Sequence, residues 1–143
     1  MAARKHFTIE RRQIVQLKRA AVRAGIREIC YVVLGRGSKI GQLIRVPNRA
    51  RDTVMRHQIS PRDVRFARRR KNALNFPLLG LLHTHIISRA YPSAGDVAGY
   101  SQGAVLFIYS DHYDEFRAFR LVGDVKKVVE IPVEIIEGHE PRK

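Results

Sequence analysis

Three short apolar runs constrain the fold of this chain more than any other feature of its sequence. Residues 29–34, 78–82 and 104–109 are rich in branched aliphatic and aromatic side chains, and each run ends at glycine, proline or polar residues. Runs of five or six apolar residues have the length of strands that are buried on both faces. They are far too short to span a membrane. The sequence therefore predicts buried strands at the centre of a sheet.

Helical patterns separate these runs. Residues 10–24 carry apolar side chains at spacings of three and four, and Gly25 follows as a helix-ending residue. Ser60 and Pro61 are typical of a helix N-cap and first turn, and the pattern predicts a helix that ends near residue 74. Ser93 begins a third, shorter helix.

Further strands are predicted from alternating or β-branched segments. They cover residues 7–9, 40–46, 54–59, 116–122 and 125–136, and we expect the last two to form an antiparallel pair. The order of elements predicts an α/β fold of the α+β type, with a curved mixed sheet flanked by about three helices. We expect one domain over residues 1–143, with its core in residues 7–136.

The charge of the chain is concentrated in its first half. The net charge is +14, and residues 1–71 hold 20 Lys and Arg against 4 Asp and Glu, whereas residues 72–143 hold 7 against 9. Six of the basic residues lie in the helix that begins at Ser60: Arg62, Arg65, Arg68, Arg69, Arg70 and Lys71. Three interpretations follow: a nucleic-acid-binding surface, a surface that attracts an acidic protein substrate, or a solvated charged face.

Other features exclude several classes of protein. Cys30 is the only cysteine, which excludes an intrachain disulfide and a cysteine-based zinc knuckle. The first twelve residues are basic but lack the apolar stretch of a secretory signal. We therefore expect a soluble cytoplasmic protein that does not use a membrane as a partner.

A pair of histidines follows the second apolar run. His83 and His85 are two residues apart on a predicted strand, so their side chains point to the same face and come close enough to share a metal ion. The alternative for such a pair is a polar turn. Asp96 lies in the first turn of the helix that begins at Ser93, from which it can fold back over the strand end. Two histidines and a carboxylate leave a fourth position for water, which is typical of a catalytic zinc site.

Two of the acidic residues have structural alternatives. Ser93 and Asp96 fit a capping box, in which both side chains only satisfy backbone amides. We expect the capping and metal-binding roles of Asp96 to exclude each other. Glu28 precedes an apolar run, where a carboxylate is costly unless it is paired or functional. It is either an exposed residue at the start of a strand or the group that accepts a proton from a metal-bound water.

The remaining candidates favour structural roles. His6, His57, His112 and His139 stand outside any ligand spacing, and we expect surface or half-buried structural histidines. The acidic segment 111–115 is expected to be a solvated hairpin loop. Cys30 is expected to be a small buried apolar residue.

Taken together, these residues form a known pattern. Glu28, followed seven residues later by Gly35, and the motif H-x-H-x7-S-x2-D formed by His83, His85, Ser93 and Asp96 resemble the JAMM/MPN metalloprotease family. Pro47-Asn48, Ser60-Pro61 and the run LLGLLHTH also resemble family landmarks in family order, over residues 7–136. The resemblance implies a cytidine-deaminase-like JAMM/MPN architecture.

The resemblance also implies a function. It implies one Zn²⁺ ion held by His83, His85 and Asp96 with a catalytic water, Glu28 as general base and acid, and Ser93 as hydroxyl donor to the oxyanion. The implied substrate is a ubiquitin-like or sulfur-carrier protein, cleaved after its Gly-Gly tail. A non-catalytic MPN scaffold is the alternative within the family. The sequence departs from the family pattern at Tyr31, often glycine, and at Ile86, usually proline.

Overall fold

The computed structural model describes residues 6–138, which form eight strands and three helices. The strands are β1 (Phe7–Glu10), β2 (Cys30–Arg36), β3 (Lys39–Val46), β4 (Leu78–His85), β5 (Val105–Ser110), β6 (Glu115–Val122), β7 (Lys127–Ile131) and β8 (Val133–Ile136). The helices are α1 (Arg11–Ala24), α2 (Pro61–Arg70) and α3 (Ala94–Gly99). The predicted α+β fold with three helices is confirmed. None of the helices within residues 6–138 is long and apolar enough to cross a membrane.

The strands form one mixed sheet in the order β7-β6-β5-β4-β2-β3-β1-β8. β6 and β8 are in contact although they lie far apart in this order, so the sheet is curved as predicted. β4 is antiparallel to β2 and parallel to β5. Cys30 at the start of β2 pairs with His83 near the end of β4. The sheet therefore brings residues just before β2 beside the C-terminal end of β4.

A glycine allows β4 and β5 to approach closely. A Cβ atom at Gly80 would lie 2.5 Å from the carbonyl oxygen of Val105 and 2.9 Å from the Phe107 ring. Real Cβ atoms do not come this close to a backbone oxygen, so only glycine fits here. Gly80 thus allows β4, which carries His83 and His85, to pack closely against β5.

Helix α1 packs as its pattern predicts. Ile14, Leu17 and Ala21 are buried in the main core with Phe7 and Ile9 of β1. Gly25 follows the helix with φ of +69°, which glycine adopts without steric cost. The apolar stripe therefore holds α1 against the sheet.

Helix α2 begins as predicted and ends earlier. The Ser60 hydroxyl accepts a hydrogen bond from the Arg62 amide at 3.2 Å. The predicted end near residue 74 is wrong, because Asn72 takes a φ of +56° and turns the chain out of the helix. The Arg68 guanidinium then donates hydrogen bonds to the carbonyl oxygens of Leu74 and Phe76, which stabilise the turn.

Two strand predictions are wrong. Residues 54–59 form no strand, because the Asn48 side chain bonds the backbone of this segment and replaces a ladder of strand hydrogen bonds. Residues 125–136 form two strands, because Pro132 has no amide proton to continue a ladder. β7 pairs with β6 as expected, whereas β8 pairs in parallel with β1 at the opposite edge.

Candidate metal centre

His83 and His85 lie side by side at the end of β4. Their Nε2 atoms are 3.1 Å apart, and both residues are buried. The pair projects from one face of the strand, as its spacing predicts. Thr84 between them points to the other face, where its hydroxyl accepts a hydrogen bond from the Ile29 amide.

Asp96 reaches this pair from the first turn of α3. Its Oδ2 atom lies 3.1 Å from His83 Nε2 and 3.2 Å from His85 Nε2. The same oxygen accepts the Ser93 amide at 2.9 Å, and the Ser93 hydroxyl accepts the Asp96 amide at 3.0 Å. The carboxylate thus keeps its bond to the N-cap amide while it lies against both histidines, and the expectation that capping and metal binding do not fully coexist stays a prediction. A carboxylate oxygen accepts from more than one direction, so the capping box itself aims Asp96 at the histidines.

Hydrogen bonds and burial set the protonation of the cluster. His85 Nδ1 lies 2.8 Å from the Arg89 carbonyl oxygen, which only accepts, so Nδ1 carries a proton and Nε2 is the ring nitrogen that faces Asp96. Burial lowers the pKa of His83 to about 4, so this imidazole is neutral at neutral pH. Burial alone would raise the pKa of Asp96, but hydrogen bonds with His83 and His85 bring it well below its usual range. For His85, burial lowers the pKa, but hydrogen bonds with Asp96 and the Arg89 carbonyl outweigh this effect and raise the pKa above its usual value. The cluster thus combines a neutral imidazole, an imidazole of raised pKa and a carboxylate.

This donor set fits zinc. The three donor atoms form a triangle with sides of 3.1 to 3.2 Å, and these residues meet the geometric requirements of a metal-binding group. Ligand atoms around a tetrahedral zinc, at bond lengths of about 2.0–2.1 Å, are separated by about 3.3 Å. The carbonyl that fixes the His85 ring is the kind of outer-shell partner that zinc-binding histidines use.

Glu28 lies beside this cluster just before β2. Its side chain is 10% exposed, and Oε1 is buried without a hydrogen bond to any described residue. It is therefore not an exposed residue at a strand start. Its backbone is fixed on both sides, since its amide donates to the Thr53 carbonyl and its own carbonyl accepts from Asn48. A buried carboxylate oxygen without a hydrogen bond is a group available for chemistry.

His57 completes the site and was missed by sequence reasoning. Its side chain is only 5% exposed, and its ring stacks on the His83 ring at 3.7 Å between centroids. Nδ1 lies 3.6 Å from Glu28 Oε1 and 3.4 Å from Asp96 Oδ1, and Nε2 lies 2.8 Å from the Tyr100 hydroxyl. The residue comes from an irregular segment between β3 and α2, so no spacing rule signals it.

The other candidates stay outside the cluster. Burial raises the pKa of the Cys30 thiol to about 12, which agrees with a buried apolar role. Tyr31 packs in the main core. His6 and His112 are exposed, and His139 lies outside the described residues. Residues 111–114 form the turn between β5 and β6, and Glu115, the first residue of β6, pairs with Arg89.

Comparisons with known proteins place these observations in a family. The profile of a family described as prokaryotic homologs of the JAB domain matches residues 10–122. A solved structure from Desulfitobacterium hafniense is similar with a TM-score of 0.77 and 22% identity, covering 94% of this chain and 95% of that one. A JAB1/MPN domain protein from Archaeoglobus fulgidus is similar with a TM-score of 0.55 and 16% identity, covering 89% and 97%.

A third similar structure is described as a metalloprotease-like zinc site in the proteasome and signalosome. It has a TM-score of 0.53 and 19% identity, covering 90% of this chain and 98% of that one. At such identities the likeness shows a shared fold. A search of curated proteins found no sequence match.

Proposed function

Because the chain belongs to the prokaryotic homologs of the JAB domain, we propose that it is a zinc-dependent peptidase or isopeptidase. The observation that carries this proposal is the convergence of His83, His85 and Asp96 next to Glu28, whose buried Oε1 accepts no hydrogen bond from the described residues. A purely structural cluster would leave no reason to bury a carboxylate oxygen without a hydrogen bond beside three candidate metal ligands.

Each residue of the site has a separate role in the proposed reaction. When bound by His83, His85 and Asp96, zinc supplies a water of lowered pKa and polarises the scissile carbonyl. Glu28 Oε1 accepts the proton of the attacking water and later returns it to the leaving amine. The Ser93 hydroxyl accepts the Asp96 amide and keeps its own proton to donate to the oxyanion.

The substrate class follows from the family resemblance. We propose that the bond cleaved follows the Gly-Gly tail of a ubiquitin-like or sulfur-carrier protein. The tail enters in an extended form, and the cleaved bond joins the terminal glycine to an α-amine or a lysine side chain.

Metal analysis and a cleavage assay test this function separately. Wild-type protein reconstituted with zinc should hold about one ion per chain, and His83→Ala should lose it. His112→Ala, at an exposed histidine, is the matched control and should keep the ion. Glu28→Gln should retain zinc yet cleave a Gly-Gly-linked fusion about 10²- to 10⁴-fold more slowly. A wild type that binds no zinc, or Glu28→Gln cleaving at the wild-type rate, would contradict the proposal.

A second candidate function rests on the basic face of α2. Four arginines of α2 and Lys71, which follows the helix, are exposed and form no ion pair within residues 6–138: Arg62, Arg65, Arg69, Arg70 and Lys71. Phe66 is 59% exposed, and its ring lies 5.8 Å from the Arg70 guanidinium. This surface suits an acidic protein or nucleic acid, either as a route for substrate or as the main role of a non-catalytic scaffold.

Titration with duplex and single-stranded nucleic acid at two salt concentrations distinguishes these roles. Steeply salt-dependent, weak affinity indicates generic charge attraction. Tight binding that persists at the higher salt, together with no cleavage, would favour the binding module over the enzyme.

A further inference from the structure

The two metal-binding histidines are held in different ways. The ring of His85 is fixed by its hydrogen bond to the Arg89 carbonyl. His83 Nδ1 is buried and forms no hydrogen bond to any described residue. What contacts the His83 ring instead is His57, which lies nearly parallel to it with an interplanar angle of 12°. Stacking on His57 therefore restricts the His83 ring, whose Nδ1 is not held by any hydrogen bond to the described residues.

His57 also faces two carboxylates. Its Nδ1 lies 3.6 Å from Glu28 Oε1 and 3.4 Å from Asp96 Oδ1, so it stands between the two anions and is bonded to neither at ordinary distance. A lone pair on Nδ1 would repel both oxygens, whereas an N–H group attracts both. The surroundings therefore favour the tautomer with the proton on Nδ1.

Tyr100 fixes that tautomer from the other side. Its hydroxyl lies 2.8 Å from His57 Nε2. If Nδ1 carries the proton, Nε2 is an acceptor and the Tyr100 hydroxyl donates to it. Tyr100 follows α3 directly, so the helix that presents Asp96 also presents the residue that orients His57.

We propose that His57 is a positioning residue of this site, an inference that rests on the proposed zinc peptidase function. Its ring holds the His83 imidazole by stacking, and its Nδ1–H group keeps the Glu28 carboxylate beside Asp96 despite their like charges. Tyr100 supports both roles by fixing the tautomer. His57 acts through Glu28 and His83.

The competing assignment is a metal ligand. Glu28, His57 and His83 also offer ligand atoms within 4.8 Å of one another. A ligand presents a lone pair at Nδ1, whereas a positioning residue presents a proton there. The two assignments therefore predict different tautomers of His57. They also predict different results when the nitrogen is removed: zinc is lost if His57 is a ligand and is retained if it is a positioning residue.

Three variants separate these assignments. His57→Phe keeps a flat ring for stacking and removes both nitrogens, whereas His57→Ala also removes the ring. Tyr100→Phe leaves His57 in place and removes the hydroxyl. His112→Phe is the matched control at an exposed histidine, and circular dichroism checks that each variant folds.

The first two readouts do not require turnover. In metal-free wild type, nitrogen-15 NMR of the imidazoles should show the proton on His57 Nδ1, and Tyr100→Phe should weaken this preference. In chelator competition, His57→Phe should bind zinc within about threefold of wild type, and His57→Ala about 10- to 100-fold more weakly. An Nε2–H tautomer, or zinc affinity of His57→Ala equal to wild type, would overturn the proposal. Loss of zinc by a folded His57→Phe would assign His57 as a ligand and also overturn it.

The third readout uses the proposed substrate. His57→Phe should lower kcat about 10- to 100-fold with KM within about threefold, because Glu28 is less well held while the binding surface is intact. An unchanged kcat would overturn the role assigned toward Glu28. If wild type binds zinc and cleaves nothing, the proposed function fails, while the tautomer and zinc affinities still decide the positioning role.

Discussion

The Thr84 hydroxyl accepts a 3.0 Å hydrogen bond from the buried amide of Ile29. The Thr84 amide in turn donates to the Ile29 carbonyl at 3.0 Å, so two bonds join the strand of the histidine pair to the residue after Glu28. Thr84 therefore fixes the position of Glu28, the proposed general base, relative to His83 and His85.

Replacing this hydroxyl should destabilise the fold. Thr84→Val keeps the shape of the side chain and leaves the buried Ile29 amide without its partner, so the free energy of unfolding should fall by about 1–3 kcal/mol. Urea denaturation measures the change. Thr84→Ser, which retains the hydroxyl, is the control and should lose less. Equal midpoints for Thr84→Val and wild type would show that the hydrogen bond contributes nothing to stability.

Asn48 holds the segment that carries His57. Its side-chain amide donates to the carbonyls of Glu28 and Arg56 at 3.1 and 3.0 Å, and its oxygen accepts from the amides of Ala50 and Gln58 at 3.0 Å each. Asn48→Asp has the same shape but loses both donors and sets an anion against two carbonyl oxygens. We expect the free energy of unfolding to fall by about 1–3 kcal/mol.

Hydrogen exchange locates this effect. Amides of the segment between β3 and α2 should exchange faster in Asn48→Asp, whereas amides of β5 should change little. An equal increase in the exchange rates of β5 and of this segment would contradict the assignment of Asn48 as a residue that stabilises this segment locally.

The pair between Arg89 and Glu115 predicts a pH dependence. Two hydrogen bonds from the Arg89 guanidinium, at 2.8 and 2.6 Å, are the main reason that the pKa of Glu115 is lowered to about 2. Because this value lies below the ordinary 4.5, ionised Glu115 stabilises the fold above that pH and loses its effect as the pH falls toward 2. The pair also fixes the loop whose carbonyl orients His85.

Glu115→Gln tests this dependence. Wild type should be more stable than the variant at neutral pH, and the difference should shrink as the pH falls from 4.5 toward about 2. Thermal denaturation at several pH values measures the difference. A difference in stability between wild type and Glu115→Gln that stays constant from neutral to strongly acidic pH would contradict the prediction.

Cys30 should be inert in the folded protein. It is 1% exposed, and burial raises the pKa of its thiol to about 12, so almost no thiolate is present at mildly alkaline pH. A chromogenic disulfide reagent should label wild type only after denaturation, and Cys30→Ser should give no signal in either state. Rapid labelling of native protein would show that this strand opens locally.

The sequence predicts those parts of the site that regular elements place. His83 and His85 share a face because strands alternate, and Asp96 is near them because a capping box starts its helix at a known position. The family assignment, confirmed by the profile match, depends on these spacings. The roles of Glu28 and Ser93 stay predictions until activity is measured.

The parts of the site that the sequence does not predict are positioned by irregular backbone segments. His57 reaches the site through a segment held by side-chain hydrogen bonds from Asn48, which leave no periodic signal. The double contact of Asp96 also escapes prediction, since one oxygen accepts the Ser93 amide and lies against both histidines. Pro132 could have signalled the break between β7 and β8, but only the sheet order shows where β8 goes.

The parallel pairing of β8 with β1 has a consequence for biosynthesis. β1 pairs with β3 at Thr8 only, whereas four consecutive residues of β1, from Phe7 onward, pair with β8. A nascent chain that has emerged through β7 therefore still lacks the main partner of its first strand. β8 is the last strand within residues 6–138, so the pairing of β1 is completed only after this segment has emerged from the ribosome.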